Sequence, residues 1–283
     1  MPAITLFSLP KAFDGHVGVI QENAIRSWSL LTDCEVILFG DENGMTDVAN
    51  TIGVRHEVDI LKNDKGTPMV SDAFEKARDL SCTSLLAYIN ADIILDRTFV
   101  DAINTIDESG LLNWLAVGQR YDLDIRKPID YTCDWEKELA DMVLQQGVLH
   151  GKAGIDFFVF NKDFPVTLPR FSVGRPGWDS WLIYKSRSLK LPIVDITRVT
   201  KIVHQNHESA YEQNGAEAVA NRKSAGGFYR MGTLRDADWK LVSGRNSDLV
   251  LERNWIGVIW SLAVVKFMLA IKRRLYLFLM NKG

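Results

Sequence analysis

The feature that most constrains the fold is an alternation of short apolar runs with amphipathic stretches of helical period over residues 3–120. Such alternation is typical of a mainly parallel sheet covered by helices. The predicted strands are residues 3–8, 35–39, 54–58 and 84–89, and helices connect them. The last of these helices begins near Pro68, at the position that proline favours.

The alternation weakens after residue 120. Helices are predicted at 135–149 and 178–187, strands at 154–160 and 193–196, and a mobile lid or surface segment in the polar stretch 211–238. No Pro/Gly/Ser-rich linker divides the chain. We therefore predict one continuous α/β domain over 1–250, in which 1–120 forms one half and 121–250 the other, followed by a distinct segment at 251–283.

Composition narrows the class of protein. The 283 residues are 47% hydrophobic, which is ample for a core and argues against disorder. The formal net charge of -3 and the scattered basic residues predict that nucleic acid is not a partner. The three cysteines have no paired spacing and the N-terminus has no signal-like run, so we expect a reducing, cytoplasmic setting.

The tripeptide Asn-Ala-Asp at 90–92 ends the predicted strand 84–89. Ligands of open α/β sheets collect at the carboxyl ends of strands. In an extended segment Asn90 and Asp92 would share one side, where their oxygens could hold a hard cation together with a diphosphate. The alternative is that they form a turn or cap the helix that begins near Thr98.

A helix N-terminus is predicted within residues 67–72. Its free N–H groups, with Ser71, could bind phosphate or ribose oxygens of a donor. The alternative is that Asp72 and Glu75 simply complement the helix dipole.

The run Leu-Ala-Tyr-Ile-Asn-Ala-Asp-Ile-Ile at 86–94 resembles the metal-binding Asp-x-Asp strand end of GT-A-type glycosyltransferases. Asn90 stands where that family has its first Asp, and its amide oxygen is a neutral ligand. The resemblance spans residues 3–207. It implies a GT-A-like α/β domain, a nucleotide-sugar donor, and Mn²⁺ or Mg²⁺ bound by Asp92 with Asn90.

The resemblance also implies roles near the first two strands. Ser8 and Pro10 would belong to a nucleotide-contacting loop after the first strand. Asp41 and Glu42 would accept hydrogen bonds from a ribose hydroxyl or a base N–H after the second. A solvated acidic turn is the alternative for Asp41 and Glu42.

Further roles are implied in the second half. Asp179, at a helix start, corresponds to the acid that deprotonates the acceptor hydroxyl in inverting enzymes of the family. Asp156 would contact the donor sugar, and Arg175 would neutralise phosphate charge. His204 and His207 would complete the metal shell.

Each of these roles has a structural alternative. Asp179 could cap its own helix with Trp178 and Trp181 in the core. Asp156 could form an ion pair, with Lys152 or His150 as its partner. Arg175 could be a surface arginine and either histidine a hydrogen-bonded structural residue. An extended backbone would point His204 and His207 to opposite faces, whereas a turn could bring them to one site.

The C-terminal segment is unlike a soluble surface. The 17 residues 255–271 are overwhelmingly apolar, and Lys272-Arg273-Arg274 separates them from a second apolar run. A bilayer crossing needs about 20 apolar residues, so we predict a helix lying at an anionic membrane surface rather than a span. A helix packed on the domain or in a dimer interface is the alternative.

The sequence thus predicts a glycosyltransferase that moves a sugar from a nucleotide-sugar to a hydroxyl of a glycan or lipid-linked acceptor, with inversion, in polysaccharide or glycoconjugate biosynthesis. It would be cytoplasmic and peripherally attached to the inner face of a membrane. One alternative is a catalytically silent, membrane-attached sugar-binding or scaffold protein, which the Asn at position 90 in place of Asp would support. The other is a sugar-phosphate nucleotidyltransferase. The latter should carry an Arg-containing, Gly-rich loop after its first strand, and residues 8–18 contain no Arg.

Overall fold

The computed structural model describes residues 3–207, 215–227 and 230–255. These residues form two sheets with helices packed around the larger one. The strands are β1 (Ile4–Ser8), β2 (Cys34–Phe39), β3 (Arg55–Glu57), β4 (Leu85–Ile89), β5 (Ile93–Ile94), β6 (Leu115–Val117), β7 (Tyr121–Leu123), β8 (Val148–Leu149), β9 (Phe157–Asn161), β10 (Ile193–Asp195), β11 (Val203–Gln205), β12 (Trp239–Ser243) and β13 (Leu249–Arg253). The helices are α1 (Gly15–Ser29), α2 (Met45–Ile52), α3 (Val70–Leu80), α4 (Arg97–Glu108), α5 (Trp135–Gln146), α6 (Trp178–Ser188) and α7 (Ala216–Ser224), with a short 3₁₀ turn at Leu234–Asp236.

The large sheet has nine strands in the order β13-β12-β10-β6-β9-β4-β1-β2-β3. Strands β4, β1, β2 and β3 are parallel, as are β6, β10 and β12. Strand β9 runs antiparallel between β4 and β6, and β13 is an antiparallel edge. The predicted class, an α/β domain with a mainly parallel central sheet flanked by helices, is confirmed by this topology.

The central strands are buried on both faces, which explains their continuous apolar runs. Alternate residues of β1 enter two different cores: Leu6 packs with Trp28 of α1 on one face, and Phe7 packs with Phe74 of α3 on the other. The Phe7 and Phe74 rings meet edge to face, with centroids 5.1 Å apart. Helices on both faces therefore hold β1 and β4 rigidly, and the carboxyl ends of these strands form one fixed edge.

The small sheet has the order β5-β11-β7-β8 and is built beyond the carboxyl end of β4. Strand β11 pairs antiparallel with β5 and parallel with β7, and β8 pairs antiparallel with β7. A third apolar cluster, with Trp135 and Leu139 of α5, packs under it. This sheet places polar side chains of β7 and β11 next to the strand end at Asp92.

Two boundaries differ from the sequence prediction. The helix predicted at 135–149 ends at Gln146, and Val148–Leu149 forms β8 instead, because Gly147 takes an extended conformation and the next residues pair with β7. The strand predicted from Gly154 begins at Phe157, since Gly154 belongs to a turn in which its N–H donates to the Gly151 carbonyl.

Of the predicted C-terminal membrane segment 251–283, residues 256–283 lie outside the described ranges, and residues 251–253 belong to the edge strand β13 rather than to a helix. Among the residues that the structure describes, no helix combines the length and the hydropathy needed to cross a bilayer. Residues 211–214 and 228–229 of the predicted lid segment also lie outside the described ranges. Between them, α7 packs against the domain with Ala218 and Asn221 buried.

Candidate active site

A cavity of about 810 Å³ opens at the carboxyl ends of β1 and β4. This volume is within the range of small-molecule sites, and the position is the one that open α/β sheets use for ligands. The small sheet and the loops at 66–68, 153–156 and 173–176 complete its walls. The sequence-predicted residues that line it are Pro10, Glu42, Asn90, Asp92, Asp156, Arg175, Asp179, His204 and His207.

Asp92, His204 and His207 form a cluster whose ligand atoms all lie within 4.8 Å of one another. The Oδ2 atom of Asp92 is 2.9 Å from Nε2 of His207 and 3.7 Å from Nε2 of His204. The second oxygen, Oδ1 of Asp92, is buried and has no hydrogen-bond partner in the described part of the chain. A buried carboxylate oxygen without a partner is costly unless something else, such as a cation, satisfies it. The cluster therefore fits a divalent metal ion.

The backbone explains how two histidines three residues apart reach one point. Strand β11 ends at Gln205, whose N–H donates to the Asp92 carbonyl (3.1 Å). The Asn206 N–H donates to the Leu123 carbonyl (2.9 Å), and a ring nitrogen of His16 lies 3.2 Å from the Asn206 carbonyl oxygen. The chain thus leaves the strand before His207, and the two imidazole rings come within 5.5 Å of each other. Both histidines therefore reach Asp92 without a helix or an assigned turn, because His204 lies in the strand and His207 lies beyond its end.

The electrostatics of the cluster suit metal binding near neutral pH. Burial alone would raise the pKa of Asp92, but the hydrogen bond from His207 and the charges of His204, His207 and Arg120 outweigh it, so this pKa lies below its usual range. Burial lowers the pKa of His204, against the opposing effect of the Asp92 charge. The lowered pKa of Asp92 favours its ionised form and the lowered pKa of His204 favours its neutral form, and these are the forms that bind metal ions.

Asn90 and Asp156 are joined in a second polar group of the cavity. The Asn90 amide nitrogen donates to Oδ1 of Asp156 (2.8 Å), and Arg120 forms an ion pair with Oδ2 of Asp156. Asp156 thus forms an ion pair, as the structural alternative proposed, but its partner is Arg120, which directly precedes β7, rather than Lys152 or His150. This arrangement leaves the side-chain amide oxygen of Asn90, Oδ1, to a ligand.

The structure adds three residues that the sequence analysis did not assign: Arg120, Asp122 and, in a different pairing, His150. Asp122 accepts from Nε of Arg120 at 2.9 Å and lies 2.7 Å from Nδ1 of His150. Burial would raise the pKa of Asp122, but the hydrogen bonds from His150 and Arg120 hold it below its usual range. A signal was present: polar residues alternate with apolar ones directly after β6, where a strand end is expected to face a ligand.

Asp179 lies in the first turn of α6 and lines the cavity. Its Oδ1 accepts weakly from the Gly177 N–H at 3.3 Å and from the Ser180 hydroxyl at 3.4 Å, so capping contacts and cavity exposure coexist. Trp178 and Trp181 are core residues, as the structural alternative proposed. Burial, together with the Asp156 charge, raises the pKa of Asp179 despite the opposing backbone hydrogen bonds.

Arg175 is held at the cavity wall by α7. Its Nη2 lies 2.7 Å from Oε2 of Glu217, and Oε1 of Glu217 accepts from the Thr67 hydroxyl (2.7 Å) and from the Asn63 amide (2.6 Å). Thr67 and Arg175 both line the cavity. One carboxylate of α7 therefore ties two cavity-lining loops together, a role that no local pattern around Glu217 indicates.

Three predicted donor-binding residues do not line the cavity. Ser8 is fully buried and donates to the Ile89 carbonyl (2.6 Å) inside the sheet. Asp41 points away and pairs with Lys62. Ser71 is buried in α3. For each residue, an internal partner or the helix position turns the side chain away from the ligand space.

Two N–H groups at the start of α3 already have backbone partners. The Met69 N–H donates to the Leu61 carbonyl, and the Val70 N–H donates to the Phe171 carbonyl, both at 2.8 Å. Asp72 accepts from the Leu61 N–H at 2.7 Å. The prediction of a phosphate-binding helix end is therefore wrong at Met69 and Val70, although Thr67 and Pro68 just before them line the cavity.

Fold and site together define an α/β protein with a carboxylate–histidine cluster in a cavity at the carboxyl edge of its parallel strands. No family model matches the chain, and no curated protein matches it in sequence. Among solved structures it is similar to glucosyl-3-phosphoglycerate synthase of Mycobacterium tuberculosis, at 16% identity over 82% of this chain and 87% of that one, with a TM-score of 0.47.

The same synthase in complex with Mn²⁺, uridine diphosphate and phosphoglyceric acid is similar at 17% identity, over 89% of this chain and 87% of that one, with a TM-score of 0.47. A structure described as a mycobacterial protein is similar at 15% identity, over 89% and 83% of the two chains, with a TM-score of 0.48. Identities and scores of this size do not by themselves decide what the chain does.

Proposed function

We propose that this chain is a metal-dependent glycosyltransferase that moves a sugar from a nucleotide-sugar to a hydroxyl of a glycan or lipid-linked acceptor. One observation carries the proposal: Asp92, His204 and His207 converge in a cavity at the carboxyl end of β4, and Oδ1 of Asp92 has no partner there among the described residues. A diphosphate needs a cation at such a point, and a sugar donor needs a cavity of this size.

The ligand atoms of the Asp92, His204 and His207 cluster support a choice of metal. One carboxylate and two imidazoles form a mixed oxygen–nitrogen site, whereas Mg²⁺ prefers oxygen ligands alone. Mn²⁺ therefore suits this cluster better than Mg²⁺. A bound divalent ion would neutralise charge on the departing nucleoside diphosphate. Asp92, His204 and His207 would hold it, and the side-chain amide oxygen of Asn90 is a further candidate ligand.

Asp179 is proposed as the general base of an inverting displacement. Its carboxylate takes the proton of the acceptor hydroxyl while the acceptor oxygen bonds to the anomeric carbon. The bond from that carbon to the phosphate oxygen breaks, and its electron pair leaves with the nucleoside diphosphate. A pKa raised by burial and by the Asp156 charge makes the ionised form of Asp179 a stronger base than an exposed aspartate.

The remaining polar lining is proposed to orient the donor and the acceptor. The Asp156 carboxylate, fixed by Arg120 and Asn90, offers an acceptor to sugar hydroxyls. Arg175, fixed by Glu217, offers N–H donors to phosphate. Pro10 and Glu42 lie where the nucleoside would sit, near the carboxyl ends of β1 and β2.

The cellular setting is proposed from sequence alone. Residues 255–283 combine apolar runs with Lys272, Arg273 and Arg274, a composition that suits an anionic membrane surface. A protein attached to the inner face of a membrane in this way would be well placed for a lipid-linked acceptor in polysaccharide or glycoconjugate biosynthesis.

The test is nucleotide release from a panel of nucleotide-sugars in Mn²⁺, Mg²⁺ or EDTA. We compare wild type with Asp92→Ala, and use Asp141→Ala as the matched control, because Asp141 is an exposed aspartate paired with Lys137 on α5. Release from one donor that needs metal, is lost in Asp92→Ala and persists in Asp141→Ala would support the proposal and identify the sugar. No nucleotide release from any donor, together with no donor-induced rise in Tm, would instead favour the non-catalytic scaffold.

A further inference from the structure

The side chain of Asp122 lies directly beside His204. Strands β7 and β11 are parallel, and their register sets Asp122 opposite His204. Residues paired across neighbouring strands project to the same face of the sheet. Oδ1 of Asp122 is accordingly 3.2 Å from Nδ1 of His204, while Nε2 of the same ring is 3.7 Å from Oδ2 of Asp92. The His204 imidazole thus stands between two carboxylates.

The proton on this ring has one useful location. An imidazole that gives the lone pair of Nε2 to a cation must carry its proton on Nδ1. Nδ1 of His204 is buried and makes no well-aligned hydrogen bond among the described residues. The Asp122 carboxylate is within hydrogen-bonding distance of this nitrogen, so a small rotation of either side chain would align the pair.

Asp122 is itself held in place on both of its oxygens. Arg120 donates to Oδ1 at 2.9 Å, and Nδ1 of His150 lies 2.7 Å from Oδ2. Its side chain is only 23% exposed, so solvent competes little with these contacts. A carboxylate that is oriented in this way can in turn orient the ring beside it.

We propose that Asp122 is a positioning residue: its carboxylate accepts a hydrogen bond from the Nδ1–H group of His204 and so turns Nε2 of that ring toward the cation held with Asp92 and His207. This inference rests on the proposed metal-dependent function. Asp122 itself contacts neither donor nor metal. It acts through His204, as outer carboxylates act on metal-binding histidines.

A purely structural role is the competing explanation, because Asp122 also pairs with Arg120. The Asp122→Asn variant separates the two roles. If the amide turns its NH₂ group to Nδ1, it favours the tautomer with the proton on Nε2 and blocks that nitrogen as a ligand. If its carbonyl oxygen stays beside Arg120 and Nδ1, it is a neutral and weaker acceptor than the carboxylate. Both orientations remove the charged acceptor that favours the proton on Nδ1. The control is Asp124→Asn, which removes the same charge two residues away, where Asp124 is half-exposed and pairs with Arg126.

Three quantities are measured on the full chain. They are the ring ¹⁵N chemical shifts of His204 in metal-free protein, assigned with a His204→Gln variant, the Mn²⁺ affinity from electron paramagnetic resonance, and Tm without metal. We expect the Nδ1–H tautomer in wild type and in Asp124→Asn, and its loss in Asp122→Asn. We expect Mn²⁺ to bind about 10- to 100-fold more weakly to Asp122→Asn, since outer-shell partners of metal ligands have effects of this size.

The outcomes distinguish the inference from the function on which it rests. If Asp122→Asn lowers Tm but leaves the His204 tautomer and the Mn²⁺ affinity at wild-type values, Asp122 is structural and the inference fails alone. If wild type binds no Mn²⁺, the metal-dependent function fails, and the positioning role fails with it. None of the three measurements requires a known sugar donor or acceptor.

Discussion

Replacing Glu217 by Gln tests how strongly α7 is fastened to the cavity wall. The Glu217 carboxylate is 13% exposed and receives hydrogen bonds from Thr67, Asn63 and Arg175, three residues of two separate loops. A Gln side chain keeps the shape and one acceptor oxygen, but it has no charge and would set its NH₂ group against the guanidinium of Arg175. The substitution therefore removes the ionic part of the contact with little change in packing.

The magnitude follows from the pKa of Glu217. Hydrogen bonds from Thr67, Asn63 and Arg175, with the Arg175 charge, lower this pKa from 4.5 to about 2, although burial opposes them. A difference of one pKa unit between folded and unfolded states corresponds to about 1.4 kcal/mol. The ionised carboxylate therefore contributes at most about 3.5 kcal/mol to the free energy of unfolding. Since such contacts are partly screened, we expect Glu217→Gln to lose about 2 kcal/mol at pH 7.

The sign of the pH dependence is fixed. The folded-state pKa is lowered, so the contribution is complete above the unfolded value of 4.5 and is lost as the pH falls toward about 2. Urea unfolding of wild type and Glu217→Gln between pH 7 and pH 3 should show a difference that shrinks below about pH 5. Glu252→Gln is the matched control, because Glu252 is an exposed acid on β13. A difference below about 0.5 kcal/mol at pH 7, or one independent of pH, would refute this account of the contact.

Two further predictions concern catalysis and membrane attachment. Asp179→Asn should lower kcat by about 10²- to 10⁴-fold with little change in the KM for the donor, because a base acts only in the transition state. The wild-type rate should rise with pH through the raised pKa of Asp179, since only the ionised form accepts a proton; a variant with wild-type kcat would contradict the base role. In flotation with vesicles containing anionic lipid, the full chain should bind, and replacing Lys272, Arg273 and Arg274 by Gln should weaken binding at low salt. Equal flotation of the two proteins, or none with wild type, would contradict the surface anchor.

The fold was largely predictable because its signals are local. Strands β1, β2 and β4 lie within one residue of their predicted bounds, since each is a continuous apolar run buried on both faces of a parallel sheet. Strands β5, β6, β7, β8 and β11 were not predicted, because runs of two or three residues have no period of their own, and the edge strands β12 and β13 were not predicted either. Val148 and Leu149 are strand only because β7 lies beside them. The helical sequence pattern of α5 continues over Val148 and Leu149, but in the structure the helix ends at Gln146, where Gly147 and the pairing with β7 follow.

The site was predictable in part, for the same reason. Asp92 follows an apolar strand at the position where ligands collect, and His204 and His207 lie near a later strand. The roles of Arg120 and Asp122 depend on partners 36 and 82 positions away, at Asp156 and His204. Such separations leave no mark in a sequence window.

The sequence by itself determined the order of β1 to β4 and of the helices between them, the acid at the end of β4, and the supply of candidate ligands after β10, because hydrophobic period and strand ends are properties of neighbouring residues. Only the tertiary structure decided which candidates face the cavity. It turned Ser8 inward to the Ile89 carbonyl and Asp41 outward to Lys62, and it brought His207 to Asp92 where the chain leaves β11. Side-chain direction depends on the partner that a folded neighbour supplies, and that partner is set by sheet register and packing rather than by adjacent residues.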